Sequence, residues 1–264
     1  MVLSRNGHGH IWRVFLLRGH RWRPVPFHLR SYFMNVVYAI TRNYYHKILP
    51  SLRSLYEHEP KAKVYILAED DALPFDTPQK VTVINISDQH QFDHGVNIGN
   101  RFGGYINLLK VYYPSLLPKL NKVIHLDVDT IICDSLKDLW NINVTGKWIA
   151  AVPEYQAVHS QLNLYGDIYY NAGVMLINLA QMRKDNISDT MAKFLNEVPQ
   201  PFADQDAWNK YGIEQDKVAV APVRFNECIS CGYTSDPAIV HYCAVADWYE
   251  SRNMFRRNYL ERYM

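Results

Sequence analysis

Five apolar, β-rich runs recur along the chain with helix-length segments between them, and that spacing constrains the fold more than any other feature. They are 34–40 (MNVVYAI), 63–68 (KVYILA), 80–86 (KVTVINI), 122–126 (KVIHL) and 169–179 (YYNAGVMLINL). Continuous apolar runs of this kind are what strands covered on both faces require. Between them, 44–58 places Ile48, Leu52, Leu55 and Tyr56 at helical spacing, with Pro50 tolerable in a first turn. Segments 105–120 and 187–198 are also predicted helices, the latter opened by Ser188 as a cap. Two short strands follow at 218–223 and 238–242. Strands alternating with helices predict an α/β fold with an open, mostly parallel central sheet flanked by helices.

The ordered body is expected over 34–249, between a basic extension, 1–33, and a basic aromatic tail, 250–264. The extension holds six arginines, four histidines and no acidic residue, whereas the remainder carries 22 basic against 26 acidic side chains. No nucleic-acid partner is expected from that balance. The apolar run 14–17 is short and flanked by arginines, so it is neither a secretory signal nor a membrane span. Four cysteines in 264 residues make no disulfide framework, and a reducing cytoplasm is the expected setting. The tail alternates aromatics with Arg252, Arg256, Arg257 and Arg262, a pattern that either docks on a membrane surface or closes a packed helix.

The strand KVIHL stops at two carboxylates one residue apart, Asp127 and Asp129. Residues i and i+2 of a strand point the same way, so both can reach one ion. Side by side they repel each other, and a hard divalent cation with oxygen ligands relieves that repulsion. A solvated acidic turn is the alternative for these residues taken alone. In an open α/β sheet, the carboxyl end of a central strand is where ligands bind.

After HLDVDT come YYNAGVMLIN, FADQDAWNKY and AIVHYC, in that order. Together these motifs resemble the retaining glycosyltransferases of family 8 over about residues 34–249, read as the catalytic domain. The resemblance implies a nucleotide-diphospho-sugar transferase (GT-A type) fold. It implies that Asp127, Val128 and Asp129 contact a UDP-sugar, with Asp127, Asp129 and His241 holding Mn²⁺ (or Mg²⁺) against its diphosphate. It further implies uridine contacts from Ala39, Thr41 and Asn43, with Tyr44 alongside, and a reach from Lys110 to the donor. By the same resemblance Asn171 meets the donor hexose, and Asp204 and Gln205 flank its anomeric carbon; beside that implied set, Asp206 is a candidate back-up nucleophile. Read without the family, 41–44 is a polar loop capping a helix, Lys110 a snorkelling lysine and Asp204 an N-cap. The chain departs from the family pattern at Ala244 and Asp247, where a glycine and a lysine usually contact the diphosphate.

The implied activity is metal-dependent, retaining transfer of a hexose from a UDP-hexose donor to a glycan, lipid-linked or protein acceptor, with same-face attack, in the cytoplasm or at the membrane periphery. Three other readings stand beside it. A non-catalytic nucleotide-sugar-binding protein is the first, prompted by the lost glycine and lysine. The second is a haloacid-dehalogenase-like phosphatase, whose D-x-D-x-T/V motif resembles LDVDTI but here lies mid-chain with Ile131 in the fifth position. The third is structural zinc on Cys228, Cys231, His241 and Cys243, a Cys₃His set in awkward spacing.

Overall fold

The computed structural model describes residues 15–16, 23–24, 33–98, 104–154, 168–243, 248–250 and 256–264. The chain resolves into two compact units, Met1–Phe33 and Met34–Met264. In the first, β1 (Phe15–Leu16) and β2 (Arg23–Pro24) pair antiparallel.

In the second, the apolar runs form β3 (Asn35–Ala39), β4 (Lys63–Ala68), β5 (Thr82–Asn85), β6 (Val123–Leu126) and, beyond the two aspartates, β7 (Thr130–Ile132). Next come β8 (Ile149–Glu154), β9 (Tyr169–Ile177), β10 (Val218–Val220) and β11 (Ile239–His241). Seven of these make one sheet in the order β10-β8-β9-β6-β3-β4-β5. All its pairs are parallel except those of β9, which runs antiparallel to both β6 and β8. The reversal brings the first half of β9 past the carboxyl end of β6, in the middle of the sheet. Strand β11 pairs antiparallel with β7, bringing His241 opposite Thr130 in a separate two-stranded sheet.

Strand alternation divides the core between the faces of the large sheet. On one face Val36, Tyr38, Ile124 and Leu176 pack with Ile48, Leu52 and Leu55; on the other Val37, Val123, Met175 and Ile177 pack with Met182, Met191 and Leu195. Residues Leu52, Leu55 and Tyr56 lie in α1 (Leu49–His58), which begins at Pro50's own turn because that residue lacks an N–H to continue the 3₁₀ helix Arg42–Ile48.

The predicted helix 105–120 is broken into α2 (Tyr105–Leu108), a 3₁₀ turn (Leu109–Tyr112) and α3 (Tyr113–Leu116). Pro114 is the cause, since it restarts the hydrogen-bond ladder in α3. A short α4 (Lys137–Trp140) and α5 (Leu179–Asp185) follow, then α6 (Ser188–Glu197). Ser188 does not cap α6; its hydroxyl donates to the Val111 carbonyl at 2.7 Å. After α7 (Asp204–Glu214), the chain closes on α8 (Arg257–Glu261), whose Leu260 packs with Tyr263 on Ile131, Val240, Tyr242 and Trp248. Tail arginines pair inside this unit: Arg256 with buried Glu227 at 2.8 Å, Arg257 with Glu261 and Arg262 with Glu57. Arg252 lies outside the described residues. Among the described residues no helix is long and apolar enough to cross a membrane.

Candidate active site

Three chain segments converge at the end of β6. The Asp127 N–H continues the ladder by donating to Gly173 O at 2.8 Å, and Thr130 Oγ1 donates to Asp127 O at 2.8 Å, which holds the link from β6 to β7 tight. The Tyr242 N–H donates to Asp129 O at 2.9 Å, so β11 delivers His241 to the same place. His241 Nε2 lies 3.3 Å from Asp129 Oδ1 and 4.0 Å from Asp127 Oδ2. Its Nδ1 lies 2.8 Å from Asn226 Oδ1, whose amide group in turn donates to Asn171 Oδ1 at 2.8 Å. An amide oxygen only accepts, so Nδ1 carries a proton and Nε2 is the atom turned toward the carboxylates.

Donor atoms of Asp127, Asp129 and His241 lie within 4.8 Å of one another. Burial alone would lower the imidazole's pKa, yet the Asp129 carboxylate lifts it well above the ordinary histidine value. Negative charge is thus in excess at this point. A Cβ on Gly173 would stand 2.8 Å from His241 Nε2 and 2.9 Å from Asp127 Oδ2, so only glycine leaves the space between them open. Two carboxylates and one oriented imidazole around a cradle of this kind fit a hard divalent cation.

Lys110 sits behind this cluster, 3% exposed, with Nζ 3.2 Å from Asp127 Oδ1 and 3.3 Å from Asp204 Oδ2. It is a buried ion-pair centre, not a snorkelling surface lysine. Asp127 Oδ1 also lies 2.9 Å from His125 Nε2, and His125 Nδ1 lies 3.1 Å from Tyr113 Oη. Burial, with the Lys110 charge, pushes His125 down to about 4, so its ring is neutral and donates to Asp127. Burial would raise the Asp127 carboxyl, but Lys110 and His125 hold it well below the usual carboxylate range. Asp204 takes the opposite course: burial lifts it to about 6 against the pull of Lys110, and the Asp127 charge adds to the rise. One ammonium therefore serves two carboxyls of different character, one firmly ionised and one titrating near neutrality.

Asp204 is the first residue of α7 and does not cap it; Ala203 occupies that position with φ 53°, a left-handed conformation strained for a residue with a Cβ. Asp206 is fully buried, accepting from Tyr169 Oη at 2.6 Å and Phe202 N at 2.7 Å. It braces the turn into α7 and does not line the cavity, which removes it as a nucleophile. Gln205 Oε1 accepts the Ala172 N–H at 2.9 Å. Glu154, which the sequence did not single out, accepts from Asn171 Nδ2 at 2.6 Å and lies 3.4 Å from Gln205 Nε2.

A cavity of about 300 Å³ opens over these groups, lined by Lys110, Asp127, Asp129, Asn171, Asp204, Gln205 and His241 among others. Ala39, Thr41 and Asn43 do not line it. Ala39 ends β3, Thr41 precedes the 3₁₀ helix without a side-chain cap bond, and Asn43 is exposed. Arg42, between them, makes a two-pronged pair with Asp70, and a second cavity of about 300 Å³ lies beside it between Glu69, Ser87, His90 and Tyr105. Val128 is half-buried and packs toward the C-terminal cluster. Ala244 and Asp247 lie outside the described residues, as does most of 154–167.

Residues 35–247 match the profile of glycosyl transferase family 8. The chain belongs to glycosyltransferase family 8. Its architecture is that of a GT-A glycosyltransferase: the galactosyltransferase LgtC, solved with donor and acceptor sugar analogues, superposes with a TM-score of 0.70 at 20% identity, covering 87% of this chain and 94% of that one. A relative in sequence is a Haemophilus influenzae protein described as a glycosyltransferase, 34% identical over 118 residues, 42% of this chain and 35% of that protein. General stress protein A of Bacillus subtilis is 25% identical over 185 residues, 60% of this chain and 61% of its own length. The chain therefore spans between about a third and three-fifths of the length of these two relatives.

Proposed function

We propose that this chain is a metal-dependent retaining hexosyltransferase that takes its sugar from a UDP-hexose and passes it to a glycan, lipid-linked or protein acceptor. The observation that carries the proposal is the joint placement of Asp127, Asp129, His241, Lys110, Asn171, Asp204 and Gln205 around one cavity. They come from separate segments of a family 8 chain, and a core would gain nothing by bringing three carboxylates together there.

Asp127, Asp129 and His241 would hold Mn²⁺ or Mg²⁺, which supplies the positive charge that a departing diphosphate needs and so removes the need for a strong acid. Lys110 adds a fixed ammonium at the Asp127 side of the cavity. The bonds from Asn171 to Glu154 and from the Ala172 N–H to Gln205 fix two amide side chains on the cavity wall, where they orient sugar hydroxyls. Asp204, titrating at about 6, is largely ionised at neutral pH and stabilises positive charge developing on the sugar ring. Gln205 is a poor nucleophile and Asp206 is buried away from the cavity, so same-face attack by the acceptor accounts for retention better than a glycosyl-enzyme does.

The test is donor turnover in Asp127→Ala and Asp129→Ala. Both variants are expected to keep the wild-type circular dichroism and lose Mn²⁺-dependent release of UDP. Wild-type turnover in either one refutes the assignment.

A further inference from the structure

His241 belongs to two clusters at once. Beside the oxygen set of Asp127 and Asp129, donor atoms of Cys228, Cys243 and His241 also lie within 4.8 Å of one another. All four cysteines of the chain are free thiols, and Cys228 is fully buried while Cys243 is half-buried. Ser230 and Cys243 line the same cavity as the carboxylates, so an ion has a route to this second set.

In Cys228-Ile229-Ser230-Cys231-Gly232 the chain turns back on itself: the Cys231 N–H donates to Cys228 Sγ at 3.3 Å, and the Gly232 N–H donates to Cys228 O at 3.0 Å. Gly232 has φ 95°, a left-handed conformation that glycine adopts without strain. Ser230 Oγ lies 3.3 Å from Cys228 Sγ and 3.7 Å from Cys243 Sγ, so it bridges the two sulfurs. An N–H bond to a sulfur stabilises it as thiolate, the form that binds metal.

We propose that Cys228, Cys243 and His241 form a site for a thiophilic divalent cation of the Zn²⁺ type, and that filling it competes with the hard cation at Asp127 and Asp129. Two thiolates and an imidazole select a soft or borderline ion, whereas two carboxylates and an imidazole accept a hard one. With Nδ1 engaged by Asn226, Nε2 is the ring's one free ligand atom, so a single imidazole serves one ion at a time. Binding releases the two thiol protons to solvent. Three protein ligands would leave a fourth position for water. The consequence is inhibition of transfer by trace zinc, relieved by a thiol-competing chelator. That consequence rests on the proposed function; the thiol site itself does not.

Co²⁺ titration of the full chain tests the site, read by the near-ultraviolet charge-transfer absorption that only thiolate–cobalt bonds produce. The band is expected in wild type and in Asp129→Ala, and is expected to be lost in Cys243→Ser and Cys228→Ser. No band in wild type, a band surviving Cys243→Ser, or a band lost in Asp129→Ala would each overturn the proposal. Because Cys228 is wholly buried, its replacement can damage folding, so a second measurement uses wild-type protein alone. Alkylation of half-buried Cys243 by iodoacetamide is expected to slow at least tenfold with Zn²⁺, and an unchanged rate counts against the site. Should UDP-sugar turnover fail while the cobalt band stands, the transferase reading falls and the thiol site remains.

Discussion

Gly173→Ala adds one methyl group to a strand buried along its whole length. The new Cβ would lie 2.8 Å from His241 Nε2, 2.9 Å from Asp127 Oδ2 and closer still to His241 Cε1. Non-bonded heavy atoms are comfortable at roughly 3.5–4.0 Å, so the ring or the carboxylate must retreat by on the order of 1 Å. Both are tethered against such a move: His241 is 3% exposed and tied to Asn226, while Asp127 is held by Lys110 and His125. Overpacking of this kind costs about 1–3 kcal/mol. In a unit this large that lowers Tm by roughly 2–12 °C, with the sheet intact. Disturbing the contacts that orient a metal ligand costs about 10–100-fold in affinity, and a loss of that size is expected for Mn²⁺. Electron paramagnetic resonance of free Mn²⁺ measures the affinity, and a thermal melt monitored by circular dichroism measures the fold. Wild-type Mn²⁺ affinity in a folded Gly173→Ala protein would refute the placement of the cation between Asp127 and His241.

Other perturbations separate structure from chemistry. Lys110→Met leaves the carboxylates of Asp127 and Asp204 without their buried ammonium, and urea denaturation is expected to record a loss of about 3–5 kcal/mol. Adding Asp204→Asn to Lys110→Met, which removes one charge of each sign, is expected to recover part of that loss; a double variant no more stable than the single contradicts the pairing. Asp206→Ala is expected to destabilise by about 1–3 kcal/mol, since it strips acceptors from Tyr169 and Phe202. Asp185 offers a pH signature: burial would raise its carboxyl, but bonds from Lys217, Gln181 and the Trp148 indole pull it down to about 2. Its folded pKa is depressed, so its contribution is present above pH 4 and fades as pH falls toward 2. Asp185→Asn is therefore expected to cost on the order of 1 kcal/mol at pH 7 after solvent screening, with the gap narrowing in denaturation curves taken down to pH 3.

Much of the sheet was legible because apolar β-rich runs need cover on both faces. The direction of β9 was not, since a strand buried on both faces reads the same in either orientation. Strand β8, IAAVPE, carries two alanines and a proline and gave no strand pattern that a short apolar segment could not share with a helix. Pro114 carried the signal that 105–120 would break, and its position mid-segment was the clue. At the site, ordered motifs brought out Asp127, Asp129, Asn171, Asp204, Gln205 and His241. His125 was readable too, because it precedes Asp127 by two residues and a strand turns both to one face. Likewise Asp204 and Asp206, two apart on a helix, cannot face one cavity together. Asn226 and Glu154 had no such signal: each meets its partner across 15 or 17 residues of chain through tertiary packing alone.

The most direct test of the whole account is UDP release from a panel of UDP-sugars by the wild-type protein without acceptor, measured in Mn²⁺ and again in EDTA. Slow, Mn²⁺-dependent hydrolysis of one donor, abolished by EDTA, is the predicted result. UDP binding with no release from any donor, or release indifferent to EDTA, would contradict a metal-dependent transferase built on Asp127 and Asp129.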